Sequence, residues 1–143
     1  YFVNGELTKS NFANAINAAS HIIDPVKAGF LTIGWQSVVG GSGTMQALAE
    51  ILIFRQQAAV ITLDFLLEIK QTLILCKTMD AIIENSAFEG LRADRAPVLA
   101  SGLSILIALF NCLEIKELTL STGALREGIL FEMLPNTLSV VNP

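Results

Sequence analysis

Eighteen consecutive residues, 96–113 (APVLASGLSILIALFNCL), carry no charge, and no other feature so narrows what this chain can become. Such a run must be hidden from water, in a protein core or in a bilayer. Spanning a bilayer takes about 20 predominantly apolar residues, so the run is short for a membrane helix and reads as a buried one. A second uncharged stretch, 28–49, is longer but is interrupted by Gly29, Gly34, Gly40, Gly41 and Gly43 and by Gln36 and Gln46. It is a poor spanning segment, and no stable membrane insertion is expected. The rest of the chain favours a core: 52% of its 143 residues are hydrophobic and 15% are charged, where globular proteins carry about 25%. That composition excludes a disordered chain. Nine Lys and Arg against thirteen Asp and Glu leave a formal charge of −4. Such a surface does not suit nucleic-acid binding, whose affinity comes from cationic neutralisation of phosphates. Cys76 and Cys112 stand apart with no CxxC and no clustered His, the usage of a reducing, cytoplasmic compartment. The start, Tyr-Phe-Val-Asn-Gly, has no initiating Met and no basic region of a signal peptide, so the chain is expected to be cut from something longer.

Along the chain, residues 1–7 carry Asn4-Gly5 and read as a strand end or hairpin turn. Ser10 precedes a helical pattern with Phe12, Ile16, Ala19 and Ile23 on one face, which Pro25 and Gly29 are expected to stop. Residues 30–39 (FLTIGWQSVV) are rich in β-branched and aromatic types between two glycines and read as a buried strand. Gly40-Gly41-Ser42-Gly43-Thr44 follows, then a helix from Met45. Thr62 is a cap for the helix 63–76, and 79–83 is a short apolar segment before a polar stretch ending in Gly90. Asp94 is expected to cap the long helix 96–113, with Pro97 in its first turn. Residues 117–121 read as a second buried strand, Gly123 as another turn, 125–134 as a last helix, and the tail 136–143 as loose. The resulting pattern, α-β-α-α-α-β-α, is α/β: few parallel strands packed by helices. Two strands are too few for a stable sheet. Further strands upstream, or a borrowed partner, are expected to complete it.

Two junctions combine strand, glycine turn and helix. At Gly40–Thr44 the glycines let the backbone approach a ligand, and the helix start offers unpaired N–H groups to an anion. There is no P-loop Lys and no GxGxxG, and a tight turn under close strand–helix packing explains the same glycines. At 121–128 (STGALREG) the backbone amides, Gly123, Arg126 and Glu127 lie at the carboxyl end of a strand, where ligands bind in open α/β sheets. Charges decorating a first helical turn are the plainer reading of Arg126 and Glu127. Arg92-Ala93-Asp94-Arg95 is the one charge cluster beside an apolar helix: Arg95 suits a phosphate, or pairs with Asp94 or Glu89 at the surface. His21 stands alone and reads as a solvated or partly packed side chain. No HExxH, GxSxG or paired-carboxylate motif occurs, so no catalytic residue is assigned within this segment, nor any metal ligand.

These residues together bear a resemblance. RADRAPV at 92–98, followed by the run 101–134 that ends in LREGILFEML, resembles the closing section of the exopolyphosphatase / guanosine pentaphosphate phosphohydrolase family. Gly34-Trp35 and the glycine turn at 40–44 are similar to that family's, and the opening FVNGELTKSNFANA fits its run into the preceding helix. The resemblance implies a fragment of a ribonuclease-H-like (actin/Hsp70/hexokinase-like) fold with two domains around a cleft. The whole of 1–143 would be a single partial domain, the C-terminal part of the second. It implies hydrolysis of the terminal phosphoanhydride of inorganic polyphosphate, or of the 5′-γ-phosphate of guanosine pentaphosphate, with Mg²⁺. Carried over residue by residue, the substrate-binding positions are Gly40, Gly41, Ser42, Gly43, Thr44, Arg95, Gly123, Arg126 and Glu127. The family's two phosphate loops (DxGSNS and DxGGGSxE types) and its catalytic glutamates have no counterpart in this sequence. One position departs: the family's Ser-Asp-Gly-x-Leu-Arg-Glu-Gly has Thr122 here, which can cap a helix but carries no charge.

The sequence therefore reads first as one cleft wall of an exopolyphosphatase-like hydrolase, inactive when isolated because its phosphate loops are missing. The guanosine pentaphosphate 5′-phosphohydrolase is the alternative within the family. A non-catalytic binding or dimerisation module of the same fold is the alternative outside it, and a sugar or acetate kinase of that superfold fits LREG poorly. Open sheet edges, or the 105–109 segment, predict self-association as a homo-oligomer such as a dimer.

Overall fold

The computed structural model describes residues 1–121, 123 and 125–133, the stretch 125–127 in its backbone alone. The described elements run α1 (Lys9–Ile33), β1 (Val39–Gly40), α2 (Gly43–Phe54), β2 (Val60–Thr62), α3 (Leu63–Cys76), α4 (Ala96–Leu113), β3 (Glu117–Leu120) and α5 (Leu125–Glu132). Single 3-10 turns at Val3–Gly5, Asp80–Ile82, Ser86–Phe88 and Ala93–Arg95 fill the connections.

The uncharged run is the core helix. Ala96, Leu99, Ala100, Leu103, Ser104, Leu106, Ile107, Ala108 and Phe110 of α4 are buried, and the Ser104 hydroxyl is satisfied by the Ala100 carbonyl at 2.9 Å. With its 3-10 lead, α4 is long and apolar enough to cross a membrane, but half of it is enclosed within the protein. α1 lies along it in the most extensive helix–helix contact of the molecule, and α2 and α3 pack on it as well. Leu48 and Ile51 of α2, Leu66, Ile69 and Leu73 of α3, and Leu7, Phe12 and Ile82 complete the core. Pro97 sits in the first turn of α4, as its missing N–H allows. Asp94 does not cap this helix: the N-cap is Arg95 in αR geometry, without a side-chain bond, because both Asp94 carboxylate oxygens are taken by Arg92 at 3.0 Å. Thr62 does cap α3, accepting from the Phe65 N–H at 3.3 Å.

The sheet has three short strands in the order β1-β3-β2. β1 and β3 pair in parallel, Val39 opposite Thr119 and Gly40 opposite Leu120. β2 pairs antiparallel with β3, Ile61 opposite Leu118. The chain is thus mostly helical with a small mixed sheet, not one with parallel strands alone. β2 was not foreseen: Val-Ile-Thr is β-branched but only three residues long, and it runs directly into the cap of α3. Nor are the strands buried on both sides. Leu118 and Ile61 face the core, while Val39 is 62% exposed and Glu117 and Thr119 lie open on the other face.

The largest departure is at 30–39. Helix α1 begins two residues earlier than Ser10 suggests, with Thr8 accepting from the Asn11 N–H at 3.1 Å, and it continues through Pro25 and Gly29 to Ile33. Phe30–Ile33 is therefore helix, and only Val39–Gly40 remains as strand. Pro25 lies on the exposed side, where water can serve the carbonyl it leaves unbonded, and 30–33 continues the helix as an exposed turn, with Ile33 86% exposed. What ends the helix is Gly34, at φ 70° and ψ −177°, whose N–H closes on the Phe30 carbonyl at 2.8 Å. That backbone region is accessible essentially to glycine alone. Near the N-terminus, Asn4 and Gly5 form the expected turn, but its partner is distant: Glu6 bridges Thr78. The last helix is described to Glu132; 134 and the tail 136–143 lie outside the described residues.

The two glycines of this segment are predicted to respond with opposite signs. Gly34→Ala should lower stability by about 1–3 kcal/mol. Gly29→Ala, in ordinary helical geometry with open space around its missing side chain, should raise it by up to about 1 kcal/mol. Urea titration of the two variants checks this, and equal effects would contradict the assignment of Gly34 as the helix stop.

Candidate functional site

Parallel pairing places the carboxyl ends of β1 and β3 on the same side of the sheet, each leading through a glycine-containing turn into a helix. The two turns are tied together, because the Ser121 N–H donates to the Gly40 carbonyl at 2.8 Å. Ser121 also closes its own turn, its hydroxyl bonding the Gly123 carbonyl and accepting from the Gly123 N–H at 3.3 Å. In the first turn, Ser42 caps α2 by accepting from the Met45 N–H at 3.3 Å. Crevices at the carboxyl ends of parallel strands, beside helix N-termini, are where α/β sheets bind anionic ligands.

The glycines of the first turn divide between the two readings the sequence allowed. Gly40 is a packing glycine: a Cβ there would overlap the Met45 side chain, with Cε at 2.7 Å, and press on Leu118 at 3.3 Å. Gly43, the first residue of α2, has another neighbour. A Cβ at Gly43 would run into the Arg95 guanidinium, whose Cζ would stand 3.1 Å away. Arg95 thus lies directly over the start of α2, with its side chain 34% exposed. Its contact with Asp94 is long, 3.9 Å, since Asp94 is held by Arg92, and among the described residues its guanidinium makes no hydrogen bond. Thr44, the next residue, packs against Gly102 of α4.

Of the residues expected at the site, the structure brings together Gly40, Gly41, Ser42, Gly43, Thr44, Arg95 and Gly123. The side chains of Arg126 and Glu127, and the whole of Thr122, lie outside the described residues. His21 is exposed on α1, as a solvated side chain should be. Lys27, also on α1, is held above the usual lysine range by its hydrogen bond to Asp24 and by that carboxylate's charge; the pair is exposed and takes no part in the crevice. Glu50 was overlooked: one of its carboxylate oxygens is enclosed on α2 with no partner among the described residues. Its signal was being the one charge in an apolar helix. An open cleft of about 520 Å³, lined by Trp35, Gln36, Lys116 and Glu117, lies at the amino ends of β1 and β3, away from the two turns.

The groups that converge at the crevice are backbone amides, hydroxyls and a guanidinium. Such a set suits an anion. Among the described residues no three His, Cys, Asp or Glu side chains come together as a metal ion requires. The Mg²⁺ implied by the resemblance does not find its ligands among these residues.

Comparison with known proteins agrees with the resemblance. A family model described as the Ppx/GppA phosphatase family matches residues 1–137. The chain is 41% identical over 136 residues to the guanosine-5'-triphosphate,3'-diphosphate pyrophosphatase of Aeromonas salmonicida, covering 95% of this chain and 27% of that protein. It is 43% identical over 134 residues to the protein of the same name from Vibrio cholerae, covering 94% and 26%. For that of Pseudoalteromonas translucida the identity is 44% over 135 residues, again 94% and 26%. The chain spans about a quarter of the length of these curated relatives. With the match running over nearly all of its residues, the chain belongs to the Ppx/GppA phosphatase family.

Proposed function

We propose that this chain forms one wall of a phosphoanhydride-binding cleft, in an enzyme that releases the 5′-γ-phosphate of guanosine pentaphosphate. The observation that carries the reading is the Arg95 guanidinium laid over Gly43 at the start of α2. A cation at the positive end of a helix is unfavourable by itself, and an anion held by both resolves the conflict. Terminal phosphate oxygens meet that need, and a guanidinium matches their geometry. The second turn, at Ser121 and Gly123, adds its backbone to the same side. In phosphoryl transfer most of the catalysis is positioning and charge stabilisation, which is what such a wall supplies.

Polyphosphate, which the sequence reading ranks first, presents the same anhydride. The relatives at 41–44% identity are named for the guanosine compound, and this supports placing polyphosphate second. The proposal carries the ribonuclease-H-like fold with it, this chain being the C-terminal part of the second domain. On this proposal the base, the two phosphate loops and the residues that would hold magnesium, to neutralise charge on the transferred phosphoryl, lie mostly outside this segment. A cytoplasmic setting fits the two free thiols of Cys76 and Cys112.

The test is phosphate release by the full-length protein from guanosine pentaphosphate and, separately, from polyphosphate. Release with the higher kcat/KM on the guanosine compound is expected, and release from neither substrate would mean a binding or assembly module. Arg95→Ala should raise KM about 10- to 100-fold, the loss of a charge-assisted hydrogen bond of about 1.5–3 kcal/mol. An unchanged KM would overturn the crevice.

The proposal also includes self-association, since β1 leaves one sheet edge open and Ile105 is 52% exposed on α4. Sedimentation of the isolated chain at micromolar concentration should show a dimer or larger species; a strict monomer would contradict it.

A further inference from the structure

The first two residues of α2 both rest on α4 and its approach: Gly43 under Arg95, and Thr44 against Gly102, nearly two turns further along. At Gly102 the helices are as close as the chain permits. A Cβ there would overlap the Thr44 hydroxyl and stand 2.7 Å from its Cγ2 and 2.8 Å from its Cβ. Real Cβ contacts are not that short, so the missing side chain of Gly102 sets the separation of α2 from α4. The sign of a substitution is informative here. Alanine is the better helix former and on propensity alone would strengthen α4. The overlap with Thr44 acts the other way, by pushing the first turn of α2 outward.

We propose that Gly102 is a positioning residue for the phosphate crevice. Its bare backbone seats Thr44, and that seat holds the amides of Gly43 and Thr44 at the depth where the Arg95 guanidinium covers them. Arg95 is the N-cap of α4 and Gly102 lies in the same helix, so one rigid element carries both the cation and the stop that registers α2 against it. A small displacement of α2 then separates amides from guanidinium, and an anion can no longer be held by both. The inference rests on the phosphate-crevice reading above for its functional consequence, and on the Thr44–Gly102 packing for its geometry.

The test uses the full-length protein with Gly102→Ala, Arg95→Ala and the double variant, read by kcat and KM for phosphate release from guanosine pentaphosphate. Gly102→Ala should raise KM about tenfold, the size of one weakened charge-assisted hydrogen bond, and leave kcat within about twofold. Added to Arg95→Ala it should raise KM little further, because both changes remove one interaction. Independent, multiplying effects on KM, or lower thermal stability at unchanged KM, would assign Gly102 a structural role only and overturn the proposal. A ligand-free measurement separates this outcome from failure of the crevice itself. With glycine-selective ¹⁵N labelling, the Gly43 amide resonance should shift in Gly102→Ala and return on adding Thr44→Gly, which removes the overlapping atoms. An unmoved Gly43 resonance overturns the positioning role whatever the substrate is. A moved resonance with KM unchanged in Arg95→Ala keeps the geometry and removes the phosphate. If Gly102→Ala does not fold, Thr44→Ala, which removes the seated group, should raise KM in the wild-type background and little further on top of Arg95→Ala, and independent, multiplying effects would overturn the proposal equally.

Discussion

The structure depends on hiding α4. Leu99, Leu103, Leu106, Ile107 and Phe110 are each at most 3% exposed, and burying side chains of this size contributes about 1.5–3 kcal/mol apiece. Among the described elements none has as many buried residues as α4. The partners follow from that demand. α1 packs on one flank and buries Phe12 and Ala15, α2 and α3 close others, and Leu118 of β3 turns its side chain to the same core. The resulting packing is tight enough that two glycines, Gly90 and Gly102, are needed where helix-borne side chains of α2 press in; a Cβ at Gly90 would stand 2.7 Å from the Cβ of Phe54.

The crevice is a by-product of how α4 is buried. Because β3 follows α4 directly and pairs in parallel with β1, the two strand ends and the two turns come to lie side by side. Because α2 packs against the first half of α4, the residue that starts α4 reaches the residue that starts α2. A cation at a helix N-terminus is an unusual arrangement for stability, and it makes sense as a place for charge supplied from outside. On the proposed reading, the anion would be held by a guanidinium and backbone groups.

Elements with local signals could be read from the sequence. Thr62, Pro97 and the turn at Gly40–Thr44 each act through neighbours two or three residues away, so their types announce their roles. Residues 30–33 could not be read so. Phe-Leu-Thr-Ile suits a strand, yet the helix runs on through it as an exposed last turn and ends only at Gly34. β2 is too short for periodicity to show, and Asp94 has the composition of a cap but gives its carboxylate to Arg92. The exposed face of Val39 and Thr119 was equally hidden, since apolar runs do not say whether one face or two are covered. At the site, the glycines and Arg95 were visible as types. That Gly40 serves packing whereas Gly43 yields room to Arg95 is a matter of tertiary distance, and a lone glycine such as Gly102 carries no mark of what approaches it.

The central claim is that the amides at the start of α2 and the Arg95 guanidinium hold one anion between them. The most direct measurement is a crystal structure of the full-length protein with tripolyphosphate bound. The account predicts phosphate oxygens within hydrogen-bonding distance of both the Arg95 guanidinium and the backbone N–H groups of the 41–44 turn. Tripolyphosphate seated instead in the Trp35–Lys116 cleft at the opposite end of the strands, with Arg95 untouched, would contradict it.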